Sequence, residues 1–201
     1  LTATNADDPV VALFDLDGTL ADHNGELGRR LALMRAPEEP ETCYAELGND
    51  VPPEHLRERI RAIRNNPGFW VNLPKLSAGF EILEEAHRLG FQIEVLSKGP
   101  RHAAIAWMEK LQWCDKHLAG FPHQVTITMD KGLVYGKVLV DDYPDYALRW
   151  LRWRKRGTVI LPDQPWNRGF EHPQVYRYNG DRAGMAEVLA RAFANRSDAQ
   201  A

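Results

Sequence analysis

The sequence predicts a parallel α/β sheet with a small helical insertion after its first strand. Three observations predict it. Val10-Val11-Ala12-Leu13-Phe14 is an unbroken apolar run, which suits a strand covered on both faces. Strand-like and helix-like runs alternate through most of the chain, the pattern of a parallel sheet with crossover helices. Between Asp22 and Asn72 that alternation stops, and a stretch of about fifty residues is too long for an ordinary loop in a compact domain.

The first strand, Val10 to Phe14, runs directly into Asp15-Leu16-Asp17-Gly18-Thr19-Leu20. In extended chain, residues two apart share a face. Asp15 and Asp17 can therefore face one spot at the carboxyl end of the strand, where open α/β sheets place their ligands. Clustered carboxylates repel, and a bound cation relieves the repulsion. Taken as a bare pair of carboxylates, the same residues could instead form a capping turn, with Asp17 or Thr19 starting a helix. Within the insertion, Gly25 to Met34 and Pro53 to Asn65 are expected as helices, separated by Pro37, Glu38, Glu39, Pro40 and Glu41.

Ser77 is then expected to cap a helix whose apolar face includes Phe80, Leu83, Ala86 and Leu89, ending at Gly90. Phe91 to Leu96 is the second strand, ending at Ser97. Arg101 to Gln112 is a helix. Val125 to Thr128 and Val138 to Val140 are strands, the latter closed by Asp141-Asp142. Pro144 to Arg156 is a helix rich in Trp and Arg, Thr158 to Leu161 a further strand, and Arg182 to Ala194 the C-terminal helix. The tail from Asn195 to Ala201 is expected to fray.

Composition narrows the function classes. A chain of 201 residues with 44% hydrophobic content can build a real core. The net charge of −3 points to no nucleic-acid polymer and no membrane surface as partner. The helix around Arg149-Trp150-Leu151-Arg152-Trp153-Arg154 is read as amphipathic with a solvated basic face. Cys43 and Cys114 form neither a metal signature nor a disulfide framework, which fits a reducing compartment. No apolar run approaches the length of a membrane span, and Leu1 to Pro9 lacks the apolar core of a signal peptide. A cytoplasmic location is the resulting expectation. The sequence leaves the oligomeric state open, a homodimer included.

Four pieces fall at or just beyond strand ends: Asp15 with Asp17, Ser97, Lys131, and Asp141-Asp142. In a parallel sheet these ends share one edge. Together they suit phosphoryl transfer, which needs an in-line nucleophile, neutralised phosphoryl oxygens and a protonated leaving oxygen. Each piece alone has a plainer reading: Ser97 as a loop cap, Lys131 as a solvated charge, Asp141-Asp142 as a helix start. Their order and spacing make the combined case.

The string Asp15-Leu16-Asp17-Gly18-Thr19-Leu20 resembles the first motif of the haloacid dehalogenase (HAD) superfamily of phosphotransferases. Two further segments resemble the 5′(3′)-deoxyribonucleotidases within it. In Thr128 to Asp142, an Asp-Lys pair precedes a strand ending in Asp-Asp. Asn66-Pro67-Gly68-Phe69-Trp70 matches the end of that family's cap. The likeness covers most of the chain and is weakest in the first half of the cap and the C-terminal third.

The resemblance implies a Rossmann-like HAD core, 1–22 and 73–201, with a helical cap at 23–72. It also implies roles. Asp15 attacks phosphorus and forms an aspartyl-phosphate. Asp17 protonates the leaving alkoxide, then deprotonates water. Ser97, Lys98 and Lys131 hold phosphoryl oxygens, and Lys131 also pairs with Asp15. Asp15, the backbone carbonyl of Asp17, and Asp141 or Asp142 bind Mg²⁺. Phe69 and Trp70 line the base; the alternative is that they only join cap to core. The implied substrate is a nucleoside 5′- or 3′-monophosphate.

The chain departs from the family at the second motif, where Ser97-Lys98-Gly99-Pro100 replaces Thr-Ser-Pro. The family's phosphate-contacting lysine on the next helix aligns near Ala104, so Lys98, Arg101 or His102 is expected to substitute. Trp166 and Asn167 follow a strand at the same edge and are read first as a packed loop. Two other readings stand beside the nucleotidase: a phosphatase for a sugar phosphate or other small phosphomonoester, and a non-catalytic binding or regulatory protein on the same scaffold.

Overall fold

The computed structural model describes residues 9–39, 52 and 54–195. The expected linker from Pro40 onward, Cys43, the expected helix start at Pro53 and the two chain ends lie outside these residues.

Six strands form one fully parallel sheet in the order β3-β2-β1-β4-β5-β6. They are β1 (Val11–Phe14), β2 (Gln92–Lys98), β3 (His123–Thr128), β4 (Val138–Val140), β5 (Thr158–Pro162) and β6 (Val175–Tyr178). The helices are α1 (His23–Leu33), α2 (Glu54–Asn65), α3 (Ser77–Arg88), α4 (Ala104–His117), α5 (Pro144–Leu151) and α6 (Arg182–Ala194). β1 sits at the centre, and the order reverses there, so a crevice opens at its carboxyl end.

The pleat of the sheet sorts its side chains. Ala12 and Phe14 point to a large cluster that continues through Ile93, Val95 and Ile160. Leu13 points the other way, onto Leu96, Leu139, Trp150 and Val159. Both clusters are closed to solvent, which is why β1 and β4 read as continuous apolar runs. The larger cluster extends without a break into the inserted segment, taking in Leu27, Leu31, Leu56, Ile60, Ile63 and Phe69.

The insertion leaves and re-enters the sheet side by side. Asp22 N–H donates to Pro74 C=O at 2.8 Å, and Leu76 N–H donates to Leu20 C=O at 2.9 Å. The re-entry segment is clamped by Glu109 of α4, whose buried carboxylate accepts from Gly68 N–H at 2.6 Å and Trp70 N–H at 3.0 Å. Gly68 takes a φ of +87°, a conformation that costs other residues a Cβ clash.

Several boundaries differ from those expected. Ser77 is the first residue of α3, not its cap; Leu76 holds that position and no side chain caps the helix. α4 begins at Ala104 and runs to His117, because Gly99 and Pro100 keep the preceding loop extended. α5 stops at Leu151, so Trp153 lies beyond the helix and is exposed rather than on an apolar stripe. β6 was not expected; its half-buried edge position gives Val175-Tyr176-Arg177-Tyr178 only a weak apolar signal.

Candidate active site

β1 delivers Asp15 to the sheet edge. Asp15 N–H continues the ladder by donating to Val140 C=O at 2.8 Å, and its carboxylate is buried. The chain then turns through Gly18, with a φ of +86°. A Cβ at that position would lie 2.5 Å from the Asp142 carboxylate, so only glycine lets the two loops meet. The turn brings Asp17 beside Asp15.

β4 delivers the second acidic pair. The Asp141 carboxylate accepts from Tyr143 N–H at 2.9 Å and from Lys131 Nζ at 2.8 Å. Lys131 begins a short 3₁₀ turn after β3, and its Nζ also lies 2.6 Å from Asp15. The ammonium is thus held between Asp15 and Asp141. Burial alone would lower its pKa, but those two carboxylates outweigh it and keep the charge. Asp142 accepts from Thr19 Oγ1 at 3.1 Å and from Trp166 Nε1 at 2.8 Å.

β2 and α4 supply the opposite wall. Ser97 is buried near the end of β2. Lys110 of α4 points its Nζ at Asp17 Oδ2 (2.6 Å), Ser97 Oγ (2.9 Å) and Lys98 C=O (2.7 Å). All three of its donors are used, which is how so buried an ammonium is tolerated. The other Asp17 oxygen, Oδ1, is buried and has no partner.

Asp15, Asp17, Lys110, Lys131 and Asp142 border a cavity of about 230 Å³. Four carboxylates, Asp15, Asp17, Asp141 and Asp142, meet two ammoniums, Lys110 and Lys131. The imbalance is visible in the acidities. Burial pushes Asp15 up to about 7, against the pull of Lys131, with Asp141 and Asp17 adding to the rise. Burial, with Asp15 and Asp141 beside it, pushes Asp142 well above the usual carboxylate range. At Asp17 burial acts in the same sense, but the Lys110 ammonium holds the carboxyl below its usual value. Oxygens of Asp15, Asp141 and Asp142 all lie within 4.8 Å of one another. An all-oxygen set with two uncompensated negative charges fits a hard divalent cation. Asp15 and Asp141 share the Lys131 ammonium, whereas Asp142 accepts only from the neutral donors Thr19 and Trp166, so its charge is the least answered.

The inserted segment closes the cavity. His23, at the start of α1, is buried and stacks on Trp70 with ring centres 5.1 Å apart. Its Nε2 is 3.2 Å from Arg64 Nε, and its Nδ1 is 2.7 Å from Asn24 Oδ1. Arg64 Nε can only donate, so Nε2 accepts and the proton sits on Nδ1. Burial, then the Arg64 charge, hold His23 down at about 4, so the ring is neutral near pH 7.

The structure brings Asp15, Asp17, Ser97, Lys131, Asp141 and Asp142 together. Lys98 borders the cavity too, with Nζ 3.0 Å from Tyr146 Oη. Trp70 lines the cavity, but its ring already carries His23 and, 4.9 Å from its centre, Lys110 Nζ. Phe69 is fully buried, packed edge-on against His23 and Trp70 below the cavity wall. Arg101 and His102 border a neighbouring cavity instead.

Two expectations need correction. While Arg101 and His102 face the neighbouring cavity, this one is bordered, besides Lys98, by a lysine not expected there, Lys110, further along α4 than the position near Ala104. Its signal was in the sequence: Ala106, Glu109, Lys110, Trp113 and Cys114 share one helical face, and two of those core positions are charged. Nor is the loop after β5 merely packed. Trp166 donates to the Asp142 carboxylate, and Asn167 Nδ2 donates to Asp142 C=O at 2.9 Å, so this loop positions the acidic pair.

Comparison with known proteins shows the family. The family described as "5' nucleotidase, deoxy (Pyrimidine), cytosolic type C protein" matches residues 9–192. A Bordetella pertussis protein named "Putative 5'(3')-deoxyribonucleotidase" is 32% identical over 166 residues, covering 79% of this chain and 86% of that protein. The human "5'(3')-deoxyribonucleotidase, cytosolic type" is 27% identical over 144 residues, covering 66% of this chain and 70% of its own. Among solved structures, a haloacid dehalogenase-like hydrolase from Burkholderia xenovorans aligns with a TM-score of 0.57 at 18% identity. It covers 92% of this chain and 98% of that one, which shows the shared fold. The chain belongs to the 5′(3′)-deoxyribonucleotidase family, the one described as 5' nucleotidase, deoxy (Pyrimidine), cytosolic type C.

Proposed function

We propose that this protein hydrolyses nucleoside 5′- or 3′-monophosphates, deoxyribonucleotides first among them, with Mg²⁺ as cofactor. The observation that carries the reading is the meeting of Asp15, Asp17, Lys110, Lys131 and Asp142 around one cavity at the carboxyl edge of a parallel sheet, with Ser97 behind Lys110. The Mg²⁺ ligands are Asp15, Asp142 and the backbone carbonyl of Asp17. Mg²⁺ supplies Lewis-acid neutralisation of phosphoryl charge.

The chain's own groups divide the work. Asp15 Oδ attacks phosphorus, the bond to the leaving alkoxide breaks, and the alkoxide takes a proton from Asp17. Asp17 then removes a proton from water, which attacks the aspartyl-phosphate. Inorganic phosphate leaves and the Asp15 carboxylate is restored. Lys131 and Ser97 hold phosphoryl oxygens, and Asp141 keeps Lys131 in place. Lys110 ties Asp17 as a carboxylate in the free protein. An incoming phosphoryl group competes for that ammonium, and its loss lets Asp17 take up the proton it must later donate.

Residues 23–72 act as the cap and 1–22 with 73–201 as the core. The leaving group meets His23, Asn24, Trp70, Tyr146 and Trp166. Because Phe69 does not reach the cavity and the Trp70 ring is already in contact with His23 and Lys110, a small non-nucleoside phosphomonoester is the second reading. Among the described residues no helix is long and apolar enough to cross a membrane, and a cytosolic site of action is part of the proposal.

Phosphate release from a panel of nucleoside monophosphates, sugar phosphates and p-nitrophenyl phosphate, with Mg²⁺ and with EDTA, tests both readings. EDTA-sensitive release chiefly from deoxyribonucleotides is expected. Release chiefly from sugar phosphates would transfer the activity to the second reading.

A further inference from the structure

The loop after β5 touches the acidic pair from inside the cavity and is anchored from outside it. Trp166 borders the cavity and donates Nε1–H to Asp142 Oδ2 at 2.8 Å, while Thr19 Oγ1 donates to Asp142 Oδ1 at 3.1 Å. Each oxygen of the carboxylate is held by a neutral donor. The group is therefore oriented without having its charge cancelled, the condition in which a carboxylate serves a cation best.

Asn167 locks the turn behind Trp166. It is buried, and its side-chain amide is saturated: Nδ2 donates to Asp142 C=O and to Pro162 C=O, both at 2.9 Å, and Oδ1 accepts from Gln164 N–H at 3.1 Å and from Arg177 Nη1 at 2.7 Å. Two donors meet two carbonyls and the oxygen meets two donors, so the amide has a single orientation. Gln164 Nε2 donates to Gly18 C=O at 3.0 Å, which ties the same turn to the loop after β1.

Arg177 of β6 holds the far side of this turn. Its guanidinium reaches Asp163 Oδ1 at 2.6 Å, Asn167 Oδ1 and Asn167 C=O each at 2.7 Å, and Phe170 C=O at 3.1 Å. A planar fork can serve these oxygens together; a single ammonium cannot. One side chain of an edge strand thus closes the loop from Asp163 to Phe170, and Arg177 itself does not border the cavity.

We infer that Arg177 is a positioning residue for the cation site: acting through Asn167 and Trp166, it fixes the Asp142 carboxylate in the orientation that receives a divalent cation. The inference rests on the cation site of the phosphatase reading and is independent of the substrate. Two physical effects oppose each other here. As a positive charge, Arg177 repels a cation, so its loss would tighten binding. As a fork, it holds the loop, so its loss frees Asp142 and weakens binding. The second effect wins, because Asp163 matches the charge while the remaining contacts fix the loop. Loss of an outer partner of a metal ligand weakens binding by about 10- to 100-fold.

The test titrates protein freed of metal with EDTA against Mn²⁺, a cation that suits the same oxygen ligands, and reads the free ion by electron paramagnetic resonance. Wild type, Arg177→Met, Arg177→Lys and Trp166→Phe are compared, and Asp142→Asn marks the site, since the binding under comparison is the part it removes. The melting temperature of each metal-free protein gives the folded fraction. Arg177→Met is expected to raise the Mn²⁺ Kd at least about tenfold. Arg177→Lys keeps the charge and loses the fork, and Trp166→Phe removes only the N–H on Asp142 Oδ2; both should shift the Kd in the same direction. An unchanged Kd in folded Arg177→Met overturns the inference, because the loop then merely packs, and a lower Kd overturns it because the charge then dominates. Should Arg177→Met fail to fold, an unchanged Kd in the other two variants overturns it equally. A wild type that binds no Mn²⁺ removes the cation site and the inference together. Mn²⁺ bound by the wild type without phosphate release from any phosphomonoester removes the phosphatase reading alone.

Discussion

The sheet edge and the inserted helices hold charge in opposite ways. At the edge, each buried ammonium is locked to carboxylates: Lys131 between Asp15 and Asp141, Lys110 against Asp17. The excess is negative and is confined to Asp15 and Asp142. On the inserted side arginines gather: Arg57, Arg61 and Arg64 of α2 border a second cavity with Arg101 of the loop after β2. A preorganised edge is what chemistry on a fixed phosphoryl group requires, since dipoles already in place need no reorganisation during reaction. A wall of long, adaptable side chains is what a variable leaving group can use. The first region sets the reaction and the second sets what is brought to it.

The contrast can be broken at the edge first. Asp15→Asn should lower kcat by at least about 10³-fold by removing the nucleophile, while thermal melting is unchanged or raised, because the variant also relieves repulsion with Asp141 and Asp17. Lys110→Met should cost on the order of 10²-fold in kcat/KM, the scale of losing one oriented charge at a developing anion. Retained activity would show that Lys110 serves only to balance Asp17.

On the inserted side the expected effects are on stability. Phe69→Ala empties a fully buried site and should destabilise by about 3–5 kcal/mol in denaturant titrations, with KM changed little in protein that remains folded. A KM effect without loss of stability would return Phe69 to the substrate wall.

His23 gives the smallest effect at neutral pH. Its folded pKa of about 4 lies below the unfolded value of 6.5, so the unfolded chain binds more protons between those values. This contribution to stability is complete above about pH 6.5 and is lost as pH falls toward 4, by roughly 3 kcal/mol in all. His23→Phe should flatten that part of the stability–pH curve. An unchanged slope would mean that the ring is charged in the folded protein.

Most of the sheet was legible because buried strands leave unbroken apolar runs. Asp15, Asp17, Ser97, Lys131 and Asp141-Asp142 were legible because strand ends announce themselves at the close of such runs. Lys110 was legible only as a charge on the buried face of a helix, and its place at the edge comes from the packing of α4 across the end of β2. Trp166 and Asn167 were hidden for a related reason: their partners are Asp142 atoms distant in sequence, and a Pro/Trp loop gives no sign of what it will touch. The helix at α2 was expected, but that its arginines border a cavity follows only from the approach of the 99–103 loop. What a sequence withholds here is contact between elements, not the elements themselves.

The most direct test of the account is chemical trapping of the intermediate on Asp15. The protein is quenched during turnover, reduced with borohydride and digested, and the peptide carrying residue 15 is weighed. The account predicts substrate-dependent conversion of Asp15 to homoserine, the mark of a reduced aspartyl-phosphate. Phosphate release with Asp15 left unmodified would contradict it.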